Sequence, residues 1–223
     1  MELKGKIVVV VGASRGLGQE MAQQFLAVGA KVITASRGES QAEGAIHIQA
    51  DVTDEDSLTK LADQVVEQFG QIDIWINNAG TWLPPAAAED MDMTRVRQMT
   101  DVNLFGTMHG SRVAIRQMKQ QGHGTIVNIL STSALKGRAM SSGYSASKYA
   151  AVGFTNAFRK EVEEQGIKVI AVYPGGMQTT FFDEKIPEDI DKYMKPAYVA
   201  EKIIAHLQTP NPDDELIIKR PAA

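Results

Sequence analysis

The 223-residue sequence predicts one α/β domain in which helices cover both faces of a parallel sheet. Strand-like apolar runs alternate with longer stretches of helical periodicity along most of the chain, which is typical of successive βαβ units. Several runs are almost continuous in valine and isoleucine, as expected for strands that are buried on both faces. No linker-like segment divides the chain, and its length suits a single domain. We therefore expect one three-layer α/β/α domain over residues 1–223.

The apolar runs predict six strands and a short seventh at the end of the chain. They lie at Lys6–Val11, Lys31–Ala35, Ala45–Ala50, Ile72–Asn77, Thr125–Leu130, Lys168–Tyr173 and Glu215–Lys219. Between them, apolar residues recur at the spacing of one helix face. The predicted helices are Leu17–Val28, Glu55–Phe69, a long stretch around Thr94–Gln121, Tyr144–Glu164 and Ala197–Leu207. The last helix and strand are expected to complete the edge of the same sheet.

Composition and charge exclude several classes of function. The chain has no cysteine, which excludes disulfides, thiolate metal sites and a cysteine nucleophile. The formal net charge is −4 and basic residues do not cluster, which argues against a surface for nucleic acid or anionic membranes. The apolar run near the N-terminus, IVVVV, is too short for a signal-peptide core or a membrane span. We expect a cytoplasmic protein.

A glycine-rich turn, GASRGLG, follows the first predicted strand directly and precedes the first helix. Its glycines, Gly12, Gly16 and Gly18, have the spacing G-x-x-x-G-x-G, which differs from the commoner G-x-G-x-x-G. Backbone amides at such a strand–turn–helix junction can hold a pyrophosphate, and glycine allows the ligand to approach closely. The alternative is a turn that glycine serves only for tight packing. The position within a βαβ unit favours a dinucleotide site and a Rossmann-type, doubly wound sheet.

The end of the second strand indicates which dinucleotide is bound. Arg37 lies 19 residues past Gly18 (37 − 18) and follows Ser36, at the position where an acid reads a ribose hydroxyl or an arginine accommodates a 2′-phosphate. Arg15, inside the glycine turn, adds a second positive charge. Because arginine makes bidentate phosphate contacts, the pair favours NADP(H), with NAD(H) as the alternative. Glu39 is a nearby acid that suits a ribose hydroxyl instead, and either arginine alone is also compatible with a solvated surface charge.

Tyr144 and Lys148 lie four positions apart at the start of a predicted helix, so both side chains share one face. An ammonium beside a phenol favours the phenolate and is expected to lower the pKa of the tyrosine, which suits general acid–base catalysis. The alternative is an ordinary amphipathic helix face. We predict no metal site, because the four histidines have no partner at ligand spacing. They are His47, His109, His123 and His206.

Taken in order, several motifs make the chain resemble a short-chain dehydrogenase/reductase over nearly its whole length. These motifs are the turn GASRGLG, Asp51-Val52, Asn77-Asn78-Ala79-Gly80, Asn103 in DVNLFG, Ser131, Tyr144-x-x-x-Lys148, and Pro174-Gly175 with Thr179. The resemblance implies hydride transfer between a nicotinamide and a carbonyl or alcohol carbon. It also implies a homodimer or homotetramer that assembles through helices near Ile115 and Tyr149.

The resemblance implies four catalytic roles. Tyr144 would exchange the proton, and Lys148 would lower the tyrosine pKa and hold the nicotinamide ribose. Ser131, 13 positions before the tyrosine (144 − 131), would orient the substrate oxygen, with Ser133 as the second choice. Asn103 would fix a water that links the lysine to solvent. The other serines of this region are expected to solvate or cap the start of the helix. They are Ser141, Ser142, Ser145 and Ser147.

The resemblance also implies a set of residues that hold the cofactor, among which Asp51 meets the adenine and the Pro174-Gly175 loop meets the nicotinamide end. The set is Gly12, Ser14, Arg15, Gly16, Leu17, Gly18, Ser36, Arg37, Asp51, Val52, Asn78, Ala79, Gly80, Tyr144, Lys148, Pro174, Gly175, Met177 and Thr179.

The substrate pocket is expected to lie between three segments: the residues after Gly80, the loop 134–143, and the segment after Thr179. Apolar residues of these segments favour a hydrophobic ketone. They are Trp82, Leu83, Leu135, Met140, Phe181 and Phe182. Lys136 and Arg138 suggest an acidic substituent, although loop charges usually face water. Two rival functions stay open: a 3-oxoacyl-carrier-protein reductase, and a non-catalytic NADP-binding redox sensor.

Overall fold

Seven parallel strands form one sheet in the computed structural model, which describes residues 1–220. The strands are β1 Ile7–Val11, β2 Lys31–Ser36, β3 Ile46–Gln49, β4 Ile74–Asn77, β5 Gly124–Ile129, β6 Ile167–Pro174 and β7 Glu215–Ile218. Their order across the sheet is β3-β2-β1-β4-β5-β6-β7. The helices are α1 Gly16–Ala27, α2 Glu55–Phe69, α3 Met93–Thr100, α4 Gly106–Gln121, α5 Ser142–Val162 and α6 Pro196–Gln208. The predicted fold class is confirmed.

The alternation of side chains along β1 shows why this strand is apolar throughout. Val8 and Val10 belong to the core that α1 and α6 cover, whereas Val9 and Val11 belong to the core that α2, α4 and α5 cover. Since successive side chains of a strand point to opposite faces, a strand between two helix layers needs an apolar residue at every position. The unbroken valine run therefore reports burial on both faces.

The predicted long helix around residues 94–121 differs from the observed structure. The chain there forms α3, then a π-helical turn at Asp101–Phe105, and then α4. A π-helical turn shifts the register of the residues that follow and occurs often at functional sites. Asn103 lies in this turn. The other predicted elements are present, with bounds that differ by up to two residues, as helix and strand ends commonly do.

The strand order places the predicted site residues at one edge of the sheet. β1 pairs with β2 on one side and with β4 on the other, so the direction of winding reverses between β1 and β4. Ligands of doubly wound sheets bind outside the carboxyl ends of the strands at such a reversal. The glycine turn follows β1 at this edge, and Ser131 comes two residues after β5 ends.

Asp73 anchors the opposite end of β1. Its carboxylate accepts hydrogen bonds from Lys6 Nζ and the Ile7 amide, both at 2.8 Å, and from Gln71 Nε2 at 3.0 Å. Asp73 is only 4% exposed. Burial tends to raise the pKa of its carboxyl, but these donors and the Lys6 charge hold it below its ordinary value.

We expect Asp73→Ala to lower the free energy of unfolding at pH 7 by about 2–3 kcal/mol, because the buried Ile7 amide loses its acceptor. A lowered pKa stabilises the fold above the unfolded value near ~3.9 and loses this effect in more acidic solution. The difference in the free energy of unfolding between wild type and variant should therefore shrink below about pH 4. Urea unfolding at several pH values measures this difference. Asp214→Ala is the control, since this exposed carboxylate pairs with Lys168 at the surface and should cost less than about 1 kcal/mol.

Candidate active site

A cleft of about 930 Å³ opens at the carboxyl edge of the sheet and brings together almost all of the predicted site residues. Those that line it are Gly12, Ser14, Arg15, Gly16, Leu17, Ser36, Arg37, Asp51, Val52, Asn78, Ala79, Gly80, Ser131, Tyr144, Lys148, Pro174, Gly175, Met177 and Thr179. Gly18 and Asn103 were predicted as well but are not among the residues that line the cleft.

The glycine turn is shaped by close backbone packing. A Cβ on Gly12, whose φ is +83°, would lie 2.6 Å from the backbone of Ala79. A Cβ on Gly18 would lie 2.2 Å from the carbonyl oxygen of Gly12. Asn78 Nδ2 donates to the same carbonyl at 2.7 Å and ties the turn to the loop after β4. The turn thus presents backbone to the cleft at the N-terminus of α1, a geometry that fits a dinucleotide pyrophosphate.

Acidic and basic side chains meet at the end of the cleft beyond β2 and β3. Asp51 Oδ1 accepts from the amide and hydroxyl of Thr53 at 2.9 and 2.8 Å. Burial tends to raise the pKa of the Asp51 carboxyl, but the Thr53 hydrogen bonds and the Arg37 charge hold it below its ordinary value. Arg37 is exposed, and Arg15 pairs with Asp183 at 3.1 Å. Both arginines line the cleft, so the donor set fits an adenosine that carries a 2′-phosphate.

Tyr144 and Lys148 lie in the first two turns of α5 and face the cleft. Burial raises the pKa of Tyr144 to about 12, and the Ser131 hydroxyl opposes this rise only in part. Burial also lowers the pKa of Lys148 to about 8, and its Nζ donates to the Ile129 carbonyl at 3.2 Å. The expected lowering of the tyrosine pKa was therefore wrong for this arrangement. Desolvation is the largest cause of both shifts, because burial disfavours the charged form of each group.

Ser131 follows β5, and its hydroxyl oxygen accepts from the Ser133 amide at 3.0 Å. The residue is 8% exposed and borders the cleft beside Tyr144. Ser133, the second choice, also borders the cleft. A hydrogen bond with the Ser131 side chain partly lowers the pKa of Tyr144, and this contact supports the first choice.

The Asn103 side chain links Thr81 to Ser147 through hydrogen bonds. Its Oδ1 accepts from the Thr81 amide at 2.8 Å, and its Nδ2 donates to the Thr81 carbonyl at 2.9 Å and to Ser147 Oγ at 3.1 Å. The π-helical turn thus connects the loop after β4 to α5, the helix that carries Tyr144 and Lys148. The predicted role of Asn103 in holding a water stays a prediction.

A network of buried polar side chains connects β4 and β5 to α4 and α5, and it was not predicted from the sequence. Asn77 Oδ1 accepts from Trp75 Nε1 at 2.8 Å, and its Nδ2 donates to Asn128 Oδ1 at 2.8 Å and to Ser111 at 3.1 Å. Asn128 Nδ2 donates in turn to Thr155 at 3.0 Å. The available signal was an asparagine inside the apolar run TIVNIL, since a buried amide requires partners.

Aromatic rings form the wall at the nicotinamide end of the cleft. The Phe182 ring lies edge-on to Trp82, Phe181 and Tyr193 at centroid distances of 5.0, 5.4 and 5.8 Å. Phe181 lies 6.3 Å from the Tyr144 ring. The wall therefore runs without a break from the predicted proton donor outward.

The prediction for the loop 134–143 was wrong in part. Leu135 and Met140 were expected in the pocket, but they are 44% and 51% exposed and do not border the main cleft. Met140 has a φ of +61° and borders a smaller neighbouring cavity instead, while its carbonyl accepts from the Ala86 amide at 3.0 Å. Arg138 borders the cleft, whereas Lys136 is exposed outside it.

Comparison with known proteins identifies the family. A family model described as short chain dehydrogenase matches residues 6–190. The chain belongs to the short-chain dehydrogenase/reductase family. The match extends from β1 past Thr179, so it includes the glycine turn, the Tyr144–Lys148 pair and the aromatic wall up to Phe182. Family membership confirms that this short-chain dehydrogenase/reductase is an oxidoreductase, and it supports a nicotinamide cofactor.

Similar proteins span most of this short-chain dehydrogenase/reductase. An uncharacterised oxidoreductase of Staphylococcus saprophyticus is 35% identical over 95% of this chain and 94% of its own. A 3-alpha-(or 20-beta)-hydroxysteroid dehydrogenase of Mycobacterium bovis is 34% identical over 84% of this chain and 75% of its own. A solved 3-ketoacyl-(acyl-carrier-protein) reductase from Brucella melitensis, complexed with NADH, is 27% identical and has a TM-score of 0.88 over 97% of both chains.

Two further findings concern other classes of ligand and location. Within residues 1–220, no helix combines the length and the apolar character needed to cross a membrane. In the same part of the chain, no three histidine, aspartate or glutamate side chains group as metal ligands would.

Proposed function

We propose that this enzyme is an NADP(H)-dependent carbonyl reductase or alcohol dehydrogenase that acts on an apolar, ring-containing ketone or secondary alcohol. One observation carries the proposal: a tyrosine with a raised pKa lies beside Ser131 and Lys148 in a cleft that joins the glycine turn to an aromatic wall. The hydroxysteroid dehydrogenase among its relatives is named for ring-shaped substrates of this kind. The cofactor, when bound, would supply or accept the hydride.

The side chains of the cleft explain how the proton is handled. With a pKa of about 12, Tyr144 holds its proton at neutral pH and can donate it to the oxygen of a ketone as the alkoxide forms. Ser131 would donate a hydrogen bond to the same oxygen and orient it. Lys148 has a pKa of about 8, so it is largely charged at neutral pH and can stabilise the phenolate that remains. We infer that the protonated form of Tyr144, which ketone reduction requires, is the form present near neutral pH.

The aromatic wall supports the choice of substrate. Trp82, Phe181 and Phe182 are half-buried side chains that border the cleft. Planar rings pack against such edges with little loss of side-chain freedom. Arg95 borders the same region but is paired with Glu184, so it is not free to bind an acidic group on the substrate. Arg138 also borders the cleft, and it keeps an acidic substituent open as the alternative.

The experiment that tests the proposal is a substrate panel with both cofactors. Cyclic and aromatic ketones with NADPH should give the highest kcat/KM. A preference for acyl thioesters would favour the 3-oxoacyl-carrier-protein reductase instead, a function that the Brucella neighbour supports. Tight NADPH binding without turnover of any carbonyl compound would favour the redox-sensor alternative and contradict the enzyme proposal.

Cofactor preference is tested by Arg37→Asp. We expect the ratio of NADP⁺ to NAD⁺ affinity to fall by roughly 10- to 100-fold, because a charge-assisted contact to the 2′-phosphate is replaced by repulsion. Isothermal titration calorimetry measures both dissociation constants. Arg97→Asp makes the same charge change at an exposed arginine on α3 outside the cleft, so it should leave the ratio unchanged. An unchanged ratio in Arg37→Asp would assign the 2′-phosphate to another residue.

Assembly and location stay predictions. A homodimer or homotetramer is proposed through α4 and α5. Tyr149 on α5 and Phe105, the last residue of the π-helical turn before α4, are each 45% exposed and would suit such a contact. Ile115 is buried in the core, so it is not part of this face. A cytoplasmic location is likewise proposed.

A further inference from the structure

Two ion pairs join neighbouring acids of residues 180–194, a segment that we call the flap, to two different parts of the cleft wall. A third pair joins Asp189 of the flap to Arg220 at 3.8 Å. Arg15 Nη1 in the glycine turn lies 3.1 Å from Asp183 Oδ2, and Arg95 on α3 pairs with Glu184. Asp183 and Glu184 are neighbours in the flap, but Asp183 contacts the glycine turn whereas Glu184 contacts α3. The base of the flap packs closely too, since a Cβ on Gly16 would lie 3.4 Å from Thr179 Cγ2.

Arg15 pairs with the Asp183 carboxylate, an anionic oxygen group like the 2′-phosphate that Arg15 is proposed to bind. A guanidinium offers the same planar donors to a carboxylate and to a phosphate. Arg15 and Arg37 line the same cleft, but only Arg15 is joined to the flap. The carboxylate of Asp183 therefore engages a donor that a 2′-phosphate would use, and it places a like charge close to that phosphate.

We propose that Asp183 is a specificity residue that competes with the 2′-phosphate for Arg15 and so lowers the affinity for NADP(H) relative to NAD(H). The inference rests on the proposed use of NADP(H). A ribose with a free 2′-hydroxyl does not need Arg15, so NAD(H) binds with the ion pair intact. NADP(H) binds at the cost of that pair, and it releases the flap on the side of the glycine turn. The flap thus keeps its contact with Arg15 when NAD(H) is bound and loses it when NADP(H) is bound.

The test is Asp183→Asn, with dissociation constants for NADP⁺ and NAD⁺ measured by isothermal titration calorimetry at low ionic strength. We expect NADP⁺ to bind about three- to tenfold more tightly, and NAD⁺ affinity to change by less than about twofold. The modest size follows from exposure, since the two side chains are 65% and 57% exposed. Because salt screens exposed charges, the gain for NADP⁺ should shrink as salt rises towards ~1 M.

Two controls separate competition from loosening of the flap. Glu184→Gln breaks the neighbouring ion pair with Arg95 and should leave the NADP⁺ to NAD⁺ ratio unchanged. In an Arg15→Gln background, the gain in NADP⁺ affinity from Asp183→Asn should fall below about twofold, because only the weak, solvent-screened repulsion between Asp183 and the 2′-phosphate is left to remove.

The outcomes distinguish this inference from the proposed function. If wild type binds NADP⁺ but Asp183→Asn leaves the ratio unchanged, the inference is overturned and the proposed cofactor stands. If Asp183→Asn and Glu184→Gln strengthen binding of both cofactors alike, flap loosening explains the effect and the inference is overturned. If wild type binds neither cofactor, the proposed function fails and the inference fails with it.

Discussion

Tyr144→Phe is expected to lower kcat for ketone reduction by about 10³-fold, within the range that general acid–base groups contribute. The phenylalanine ring fills the same space and keeps its edge-on contact with Phe181, so the cleft should keep its shape. What is lost is the hydroxyl that holds the proton at neutral pH. Steady-state kinetics with NADPH and a ketone substrate measure the change, and calorimetry should show unchanged NADPH affinity within about twofold.

The matched control is Tyr149→Phe. Tyr149 lies on the same helix, one residue past Lys148, but its side chain is 45% exposed and outside the cleft. It should retain the wild-type rate. If Tyr144→Phe also retains the wild-type rate, the phenol is not the proton donor, and Ser131 becomes the next candidate.

Lys148→Met is expected to reduce kcat by about 10²-fold or more and to stabilise the fold at the same time. Burial lowers the pKa of Lys148 to about 8, which means that its charge destabilises the folded state at pH 7. A lowered lysine pKa makes the wild type gain stability as pH rises from about 8 to the unfolded value near ~10.4. The variant has no buried charge at this position, so its free energy of unfolding should exceed that of wild type by about 1–2 kcal/mol at pH 7. This difference should vanish at alkaline pH.

Urea unfolding at pH 7 and at high pH measures this stability difference. Lys160→Met changes an exposed lysine of the same helix and should alter neither activity nor the pH dependence of stability. If Lys148→Met is less stable than wild type at neutral pH, the hydrogen bond from Nζ to the Ile129 carbonyl outweighs the cost of the buried charge. Such a result would also contradict our expectation that Lys148 supports activity at a cost in stability.

The sequence alone determined the layers of the fold and the place of the glycine turn. The valine run of β1 required helices on both faces, because a strand with apolar side chains at every position is stable only when both faces are covered. The spacing from Gly12 to Gly18 fixed where backbone approaches backbone, since glycine is needed where a Cβ would overlap a neighbour. These signals are local, so they can be interpreted without knowing what packs nearby.

The tertiary structure alone decided the electrostatics of the site and its long-range pairings. The pKa of Tyr144 rises because the phenol is buried, and that burial depends on elements distant in the chain. The pairing of Arg15 with Asp183 joins residues 168 positions apart. Spacing within one helix shows which side chains share a face, but it does not show how much water surrounds them or which distant segment lies opposite. Desolvation and long-range pairing are properties of the packed chain, and here they decide which group holds the proton and which acid meets the cofactor turn.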